Sequence, residues 1–373
     1  MRFRTRARLA LVTLLTLAVA AVFAGSTTSA QASSGRDDKQ LTVMTQNLYL
    51  GSPLTPALAA TTPAQFVAAV ATIYGTAVFT NFPKRAEAIA DTVAAENPDV
   101  IGLQEVSKWI AQPLVQGSTA KPPSFDFLQI LQTELAERGL DYRVAAVSHN
   151  ADIGPAPLIA PAFGCLNVGD CAVTLQDRDV ILVNNDTPGL DVRGSATGRY
   201  VNQELFQPPV GDPVSFARGW AYIDAALNGT RFRFATTHLE VEDFPAVQEA
   251  QAQEFLAGPV HTGGPVIAVG DFNSAADPAT TTKPTTTYAD LTKSWFKDAW
   301  DVNDGDPGLS CCQNGTLTNH TSELQSRIDL VLTHGSVKAQ SAHLVGDTPF
   351  SSTPPLWPSD HAGLVATLTL PGR

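Results

Sequence analysis

Short apolar runs that end in polar residues recur along the chain. In GGPVIAVGDFNSAADP, the run from Pro265 to Val269 stops at Gly270 and is followed by Asp271 and Asn273. A run of this length bounded by glycines is typical of a buried strand, and alternate residues past its end project the same way. Gly, Asp and Asn are also turn formers, so a plain turn is the alternative for this segment.

Other apolar segments follow the same pattern. The alternating segment QLTVMTQN predicts a strand that ends at Asn47, and the run VIGL predicts a buried strand that ends at Gln104-Glu105. Asn228-Gly229 between two alternating segments predicts a β-hairpin. Together with strands predicted in SRIDLVL and AGLVATLTL, the chain places these polar side chains at strand ends: Asn47, Glu105, His238, Asp271, Asn273, Asp329, Asp360 and His361.

Helical spacing occurs between several of these strands. It predicts amphipathic helices in FPKRAEAIADTVAAE, from about Phe125 to Arg138, and over Phe244–Leu256. Helices therefore alternate with some strands, while other strands pair directly in hairpins. This arrangement predicts a mixed α/β (α+β) fold with two sheets packed face to face and helices outside.

The N-terminus has the composition of an export signal. Four arginines precede an apolar run from Leu9 to Phe23 and small residues that include Ala30 and Ala32. We predict a signal peptide over residues 1–32 and a single domain over residues 33–373. We expect a secreted, extracellular monomer without a transmembrane segment.

Removal of this segment makes the protein more acidic. The segment carries four arginines and no acidic residue, so the formal net charge changes from −12 to −16. An acidic chain is poorly suited to broad electrostatic capture of phosphate backbones, which needs clustered Lys and Arg. A nuclease remains compatible with this charge if bound metal ions supply the positive charge.

Four cysteines remain in a chain that we expect to meet oxidising conditions. The short loop CLNVGDC predicts a disulfide between Cys165 and Cys171. Cys311 and Cys312 are adjacent, and we interpret them either as free thiols or as a vicinal disulfide. A zinc site is less favoured, because no histidine lies at ligand spacing from either pair.

The residues at the strand ends suit phosphoester chemistry. Mg²⁺ takes oxygen ligands, usually one or two carboxylates with water and substrate phosphate, and Asn47, Glu105 and Asp360 offer such oxygens. Hydrolysis of a phosphodiester also needs an activated water and neutralised charge on the phosphoryl oxygens. Two histidines and an Asp are natural suppliers of these functions.

Six short motifs occur in one order along the chain: MTQNLYL, IGLQEV, TTHLE, VGDFNS, SRIDLVL and SDH. Together they resemble the endonuclease/exonuclease/phosphatase family, whose members include pancreatic-type deoxyribonucleases, sphingomyelinases and inositol-polyphosphate 5-phosphatases. The resemblance spans residues 41–370. It implies a four-layered αββα sandwich, in which two mixed sheets pack face to face and the site lies at the strand ends between them.

The resemblance also implies a divalent metal cofactor. By their positions in the motifs, Asn47 and Glu105 would bind the principal ion, with Asp360 close by or on a second ion. We expect Mg²⁺, with Mn²⁺ and Ca²⁺ as alternatives.

By the same resemblance, the other motif residues would take catalytic roles. Asp271 would position or activate the nucleophilic water, and Asn273 would hold a phosphoryl oxygen. His361 would act as general acid or base or stabilise the transition state, and Asp329 would orient it. His238 would be the second catalytic imidazole.

Some charged residues have more than one interpretation. Asp329 follows Arg327-Ile328 and could pair with Arg327 instead of a histidine. Most of the other arginines are expected to be structural, although one of them could contact substrate phosphate. The roles of four residues stay open: Asp179, Arg85, Arg199 and Arg218.

We therefore predict a secreted, divalent-metal-dependent phosphoester hydrolase. Its expected partner is a phosphodiester substrate, either nucleic acid (DNA or RNA, cut as by an endonuclease) or phospholipid headgroups (cut as by a sphingomyelinase or phospholipase C). The alternative is a catalytically silent sandwich used as an extracellular binding or adhesion module. Such a module should have lost at least one of the motif residues, and all of them are present.

Overall fold

The computed structural model describes residues 39–209 and 213–372, with the backbone alone described at Ser294. These residues belong to the compact unit Asp38–Arg373. The predicted signal peptide, residues 1–32, lies outside the described residues. The single-domain assignment over residues 33–373 stays a prediction.

Strands make up most of the regular structure. In chain order they are β1 Gln40–Asn47, β2 Val100–Gln104, β3 Lys108–Pro113, β4 Phe125–Asp126, β5 Tyr142–Leu158, β6 Cys171–Asn184, β7 Leu190–Arg199, β8 Gly219–Leu227, β9 Thr230–His238, β10 Val266–Asp271, β11 Lys297–Asp298, β12 Asp329–His334, β13 Lys338–Val345, β14 Ser351–Ser352, β15 Pro355–Leu356 and β16 Gly363–Thr369.

Helices occupy the connections. They are α1 Thr55–Leu58, α2 Pro63–Phe79, α3 Phe82–Glu96, α4 Phe127–Glu137, α5 Pro245–Ala257 and α6 Thr287–Ser294, with short 3₁₀ turns at Pro161–Phe163, Pro278–Thr280 and Ala299–Val302. No single helix in the described part of the chain is long and apolar enough to cross a membrane, although α2 and α3, bent by 45°, pass that test as a pair by length and composition.

The strands form two large mixed sheets. The first runs β13-β16-β1-β2-β6-β3-β4, with β5 paired to β6, and the second runs β11-β12-β10-β9-β8-β7. β1 and β2 are parallel neighbours in the first sheet, and β9 and β10 are parallel neighbours in the second. Each parallel pair therefore ends at one edge of its sheet, and the polar residues that follow the strands meet there.

The central core lies between the sheets. Val43 and Ile181 of the first sheet share one buried cluster with Phe234, Ile267 and Val331 of the second. A separate cluster packs α2, α3 and α4 on the outer face of the first sheet, and another packs α5 and α6 on the outer face of the second. The predicted four-layered αββα sandwich is confirmed.

Two glycines permit the close approach of strands near the site. A Cβ atom on Gly102 would collide with the side chain of Val269 across the gap between the sheets. Gly270 has a φ of +147°, and a Cβ there would collide with the backbone of Thr237 on the neighbouring strand. The apolar run therefore has to end in glycine before Asp271.

Two of the differences from the sequence prediction concern β6 and α2. The apolar segment VILVNN alone predicts a strand that starts after Asp179, whereas β6 begins at Cys171, so that Asp179 lies inside the strand. β6 extends because it pairs with β3 on one side and β5 on the other. Helix α2 was not predicted, because its sequence is apolar on most sides and rich in Val, Thr and Ala, without a clear polar face.

The four cysteines form two disulfides, each between cysteines that follow one another along the chain. Cys165 and Cys171 form the predicted disulfide, with a Cα–Cα distance of 5.6 Å. The structure also joins Cys311 to Cys312. The structure therefore agrees with a vicinal disulfide and not with two free thiols at this pair.

Arg85 is a buried structural residue. Its guanidinium is fully buried and donates hydrogen bonds to the carbonyl oxygens of Leu48, Tyr49, Thr80 and Pro358. Leu48 and Tyr49 follow β1, and Pro358 precedes the SDH motif. One side chain thus ties together the loops that carry two parts of the predicted site.

We expect Arg85→Lys to lower the free energy of unfolding by roughly 2–4 kcal/mol, because a single ammonium cannot reach all four carbonyls and each buried unsatisfied acceptor costs about 1–3 kcal/mol. Denaturant unfolding measures the change. The control is Arg193→Lys, since Arg193 pairs with Asp191 at the surface and should change stability by less than about 0.5 kcal/mol. Equal stability of the two variants would contradict a structural role for Arg85.

Candidate active site

The second sheet brings three motif residues into one row. His238 ends β9 and Asp271 ends the parallel strand β10, and the two residues are paired in register. Asp329 begins the antiparallel strand β12 and is also paired with Asp271. The row is almost fully buried, because the exposed fractions of His238, Asp271 and Asp329 are 2%, 1% and 0%.

The first sheet supplies the facing residues. Asn47 ends β1, and Glu105 directly follows the parallel strand β2. Asp360 and His361 precede β16, the antiparallel neighbour of β1 on its other side. Four motif residues therefore meet at the edge of the first sheet that faces the row on the second.

One oxygen of Asp271 is the point where the two sheets meet. Oδ2 accepts a hydrogen bond from Nδ2 of Asn47 at 3.0 Å. The same oxygen lies 3.5 Å from Nε2 of His238 and 3.7 Å from Nε2 of His361. A buried carboxylate thus stands between two imidazoles, as expected for a group that handles protons.

Asp329 contacts His361, and Ser310 in turn holds Asp329. Its Nδ1 lies 2.8 Å from Oδ2 of Asp329, and that oxygen also accepts a hydrogen bond of 2.7 Å from the Ser310 hydroxyl. Burial alone would lower the pKa of His361, but Asp329, Asp360 and Asp271 outweigh it and raise the pKa well above its usual value. These contacts favour an imidazolium at His361, and the contact with Asp329 leaves Nε2 facing Asp271.

The alternative pairing of Asp329 with Arg327 is wrong. Arg327 Nη1 donates to Oδ2 of Asp298, while Asp329 contacts His361. Asp298 also accepts a hydrogen bond from Tyr288 at 2.9 Å, so Arg327 and Asp329 belong to different hydrogen-bonded groups.

His238 has the opposite electrostatic surroundings. Arg218 Nη1 lies 3.1 Å from its Nδ1 and 3.0 Å from its Nε2. A guanidinium can only donate, so the ring of His238 has to accept and is neutral. Burial, followed by the charges of Arg218 and His361, lowers the pKa of His238 well below its usual value. Arg218 also donates to Glu240 Oε1 at 3.3 Å.

Glu105 and Asp360 are the carboxylates of the predicted metal site. Burial is the main cause that raises the pKa of each to about 7, and the charge of Glu105 contributes to the shift of Asp360. Asn47 Oδ1 accepts a hydrogen bond from the Tyr49 N–H at 2.8 Å and keeps a second lone pair. Two carboxylates and an amide oxygen match the donor set of a hard divalent ion, so these residues fit the implied metal.

Asn273 lies in a tight turn after β10. Its backbone N–H donates to Asp271 Oδ1 at 2.9 Å, and its side-chain amide donates to the Leu239 carbonyl at 2.9 Å. Both interpretations of VGDFNS therefore hold, because the strand ends at Asp271 and Asp271 then caps the turn. The contact of Asn273 with a phosphoryl oxygen stays a prediction.

Asp177 was not predicted from the sequence, and Asp179 and Arg218 had no assigned role. Asp177 and Asp179 occupy alternate positions of β6, so that both face the gap between the sheets. There, their carboxylates approach His238. Among the described residues, Oδ1 of Asp177 and both oxygens of Asp179 have no hydrogen-bond partner. The signal in the sequence was the alternation in DRD, which places both carboxylates on one face.

Other arginines considered from the sequence lie elsewhere. Arg199 donates to the His149 carbonyl at 2.6 Å and is exposed. Arg85 makes the structural contacts described above. Of Arg85, Arg199 and Arg218, it is Arg218 that lies among the motif side chains.

Three groups of side chains among the described residues have potential metal-ligand atoms within 4.8 Å of one another: Asp271, Asp329 and His361; Asp177, Asp179 and His238; and Cys311, Cys312 and His361. His361 belongs to two of these groups.

Comparison with known proteins gives one family and several similar folds. A sequence model described as Endonuclease/Exonuclease/phosphatase family matches residues 44–361. No curated protein matches the chain by sequence.

Solved structures share the fold at low sequence identity. An endonuclease/exonuclease/phosphatase from Beutenbergia cavernae is 20% identical, with a TM-score of 0.56, and the match covers 90% of this chain and 72% of that one. A family protein from Leptotrichia buccalis is 15% identical, with a TM-score of 0.54, over 88% of this chain and 100% of that one. D. rerio TDP2, in complex with a single-strand DNA product, is 13% identical, with a TM-score of 0.51, over 89% and 99%.

We expect Ser310→Ala to lower kcat about 10-fold, because His361 would lose the hydroxyl that holds its partner Asp329 in place. KM and the metal concentration for half-maximal rate should stay unchanged, since Ser310 contacts none of the predicted metal ligands. Steady-state hydrolysis of a chromogenic phosphodiester, the substrate class that the motifs imply, measured across a metal titration gives all three quantities.

The matched control is Ser326→Ala on the same loop. The Ser326 hydroxyl donates to the Thr280 carbonyl at 3.0 Å and does not contact Asp329 or His361. Equal kcat values for the two variants would show that Ser310 does not position His361.

Proposed function

The chain belongs to the endonuclease/exonuclease/phosphatase family, and from this membership and the geometry of the site we propose that it is an exported phosphodiesterase. Enzymes of this family are metal-dependent phosphoesterases, and this chain is a hydrolase of that class. Beyond this class, we propose the bond that is cut, the metal, the substrate and the location of the enzyme.

The observation that carries the proposal is the pair of imidazoles around Asp271. One oxygen of Asp271 lies 3.5 Å from His238 Nε2 and 3.7 Å from His361 Nε2. The carboxylates around His361 favour its imidazolium, while Arg218 favours a neutral His238. A base, a proton donor and a neutral imidazole are therefore available within one buried site, as hydrolysis of a phosphodiester requires.

The chain's own residues divide the chemistry as follows. Asp271 accepts a proton from the attacking water, and Asn47 keeps its carboxylate in place through the hydrogen bond at 3.0 Å. His361 presents its Nε2–H to a phosphoryl or leaving oxygen, while Asp329 holds the opposite ring nitrogen at 2.8 Å. Arg218 adds positive charge beside His238.

Asn47, Glu105 and Asp360 would hold the metal, for which we propose Mg²⁺. When bound, the ion would neutralise charge on the phosphoryl oxygens and hold the substrate against the site. Its charge would also stabilise the ionised forms of Glu105 and Asp360, the pKa values of which are raised by burial.

Nucleic acid is one proposed substrate class. The related fold of D. rerio TDP2 was solved with a single-strand DNA product, which supports this class by analogy. The acidic composition of the chain argues against tight binding of a long phosphate backbone. We therefore expect weak binding of DNA or RNA that depends on the metal.

A phospholipid headgroup is the second proposed class, and one feature favours it. Leu114, Val115, Leu166 and Val168 are exposed by 54%, 55%, 62% and 61%. They lie on two adjoining loops, linked by the hydrogen bond from the Leu114 N–H to the Asp170 carbonyl at 2.8 Å. Such exposed aliphatic side chains suit contact with a lipid surface.

Export is proposed from the N-terminal composition and from the cysteines. An apolar run after four arginines is typical of a signal peptide. The disulfide between Cys165 and Cys171 is consistent with an oxidising compartment.

We expect a chelator to abolish all hydrolysis and Mg²⁺ to restore it, because the carboxylate site needs the ion for charge neutralisation. The purified protein is assayed in parallel on plasmid DNA, RNA, sphingomyelin and phosphatidylcholine, with and without added Mg²⁺, Mn²⁺ or Ca²⁺. The substrate with the highest kcat/KM identifies the class. Hydrolysis that persists after chelation, or none with any metal, would contradict the proposal and favour a silent binding module.

We expect His361→Ala to lower kcat by about 10²–10⁴-fold at every Mg²⁺ concentration, because a proton donor is lost. Asp329→Asn should be milder. Glu105→Gln should instead weaken metal affinity, and excess Mg²⁺ should restore part of its rate. Rates measured across a Mg²⁺ titration separate these cases.

His343→Ala and Glu96→Gln are matched controls. His343, in β13, and Glu96, at the end of α3, form a partly exposed pair 3.0 Å apart, and neither is a motif residue. Both should keep wild-type rates and metal dependence. Full recovery of His361→Ala at high Mg²⁺ would exclude the catalytic role given to that histidine.

A further inference from the structure

The Cys311–Cys312 segment is bound directly to the segment that carries His361. The N–H of Ala362 donates to the Ser310 carbonyl at 2.8 Å, and the N–H of Gln313 donates to the Asp360 carbonyl at 2.8 Å. Between these bonds, Cys311 and His361 form an antiparallel bridge. The two cysteines therefore have a fixed position relative to the imidazole.

The side chains meet as well. Sγ of Cys312 lies 3.8 Å from Nε2 of His361. Both sulfur atoms and a ring nitrogen of His361 lie within 4.8 Å of one another. Asp329 occupies Nδ1 of the ring, so Nε2 is the nitrogen that remains for another partner. The sequence disfavoured zinc because no histidine lay at ligand spacing, whereas the fold brings one to the cysteine pair.

Two sulfur ligands and one imidazole form a donor set quite different from that of Asn47, Glu105 and Asp360. Thiolates select thiophilic ions such as Zn²⁺, while carboxylate and amide oxygens suit Mg²⁺. A Cys₂His set with one open position is a common arrangement for Zn²⁺. Mg²⁺ and Zn²⁺ can therefore be directed to different groups of this site.

The cysteine pair offers these ligands only when reduced. An external dithiol passes two electrons and two protons to the sulfur atoms, the Cys311–Cys312 bond breaks, and the reductant becomes a disulfide. Binding of Zn²⁺ then releases the thiol protons and any proton on Nε2 of His361. The oxidised pair has no thiolate to give.

We propose that the reduced pair Cys311 and Cys312, together with Nε2 of His361, forms a binding site for a thiophilic divalent cation such as Zn²⁺, and that the bound cation inhibits the enzyme. Inhibition follows because His361 Nε2 is then unable to serve the phosphoryl group. The inhibitory effect rests on the function proposed above, whereas the binding site does not.

Binding is tested on the purified full chain in its oxidised form and after reduction and removal of the dithiol without oxygen. Zn²⁺ is titrated against a chromophoric chelator in excess Mg²⁺, so that uptake by the carboxylate site is the same in both forms. We expect the reduced protein to bind one additional Zn²⁺ per chain. With Co²⁺ in place of Zn²⁺, absorption from thiolate-to-metal charge transfer should occur in the reduced form alone.

Variants assign the ligands. Cys312→Ser and His361→Ala, each reduced, should bind the additional Zn²⁺ roughly 100-fold more weakly or not at all, since each loses a direct ligand. The matched control is Cys165→Ser with Cys171→Ser, which removes the other cysteine pair and should keep the additional ion. If that control does not fold, His361→Ala still separates the pairs, because among the described residues His361 is grouped with Cys311 and Cys312 and not with the disulfide-bonded Cys165 and Cys171.

The activity measurement follows the binding measurement. Zn²⁺ in excess Mg²⁺ should inhibit the reduced wild-type protein, while the oxidised protein and reduced Cys312→Ser should keep their rates. Equal Zn²⁺ uptake by the oxidised and reduced proteins, or uptake unaffected by both variants, would overturn the proposed site. Failure of the proposed hydrolysis would remove the activity measurement and leave the binding result intact.

Discussion

Burial of several carboxylates between two sheets is the constraint on which the site depends. Burial raises the pKa of Glu105 to about 7 and those of Asp177 and Asp271 to about 6, because a charge is poorly solvated in this gap. Arg218 and His361 are positive groups that act on these carboxylates, and Arg178 also acts on Asp177. The remaining negative charge is the physical reason that a divalent cation suits this position.

Strand register places this charge at one point. Asp271 is paired in register with His238 on one side and Asp329 on the other. A shift of one residue would turn Asp271 away from the first sheet, because side chains alternate between the two faces of a strand. Gly270 allows the observed register, since a side chain there would collide with the backbone of Thr237. Sheet pairing therefore determines the distances within the site.

The sequence predicted the fold class and most residues at the strand ends, because apolar runs followed by polar residues are local patterns. It could not predict contacts made across the sheets. Ser310 lies in no motif, and its role depends on the long loop before β12 returning to Asp329. Asp177 was missed because the continuous apolar part of β6 starts after Asp179, whereas the strand itself begins at Cys171. Arg85 was left open, since four backbone carbonyls from separate loops leave no sequence pattern.

The two histidines show why residue type alone does not specify a role. His361 has carboxylates behind and beside its ring, which favour the imidazolium, whereas His238 has a guanidinium against both ring nitrogens, which excludes it. Their Nε2 atoms nevertheless approach the same oxygen of Asp271. The difference between the two rings therefore comes from Asp329 and Arg218, the neighbours on either side of the shared carboxylate. A change at either neighbour would alter the charge of the adjacent histidine, so the proton chemistry of this site depends on residues behind the imidazoles as much as on the imidazoles.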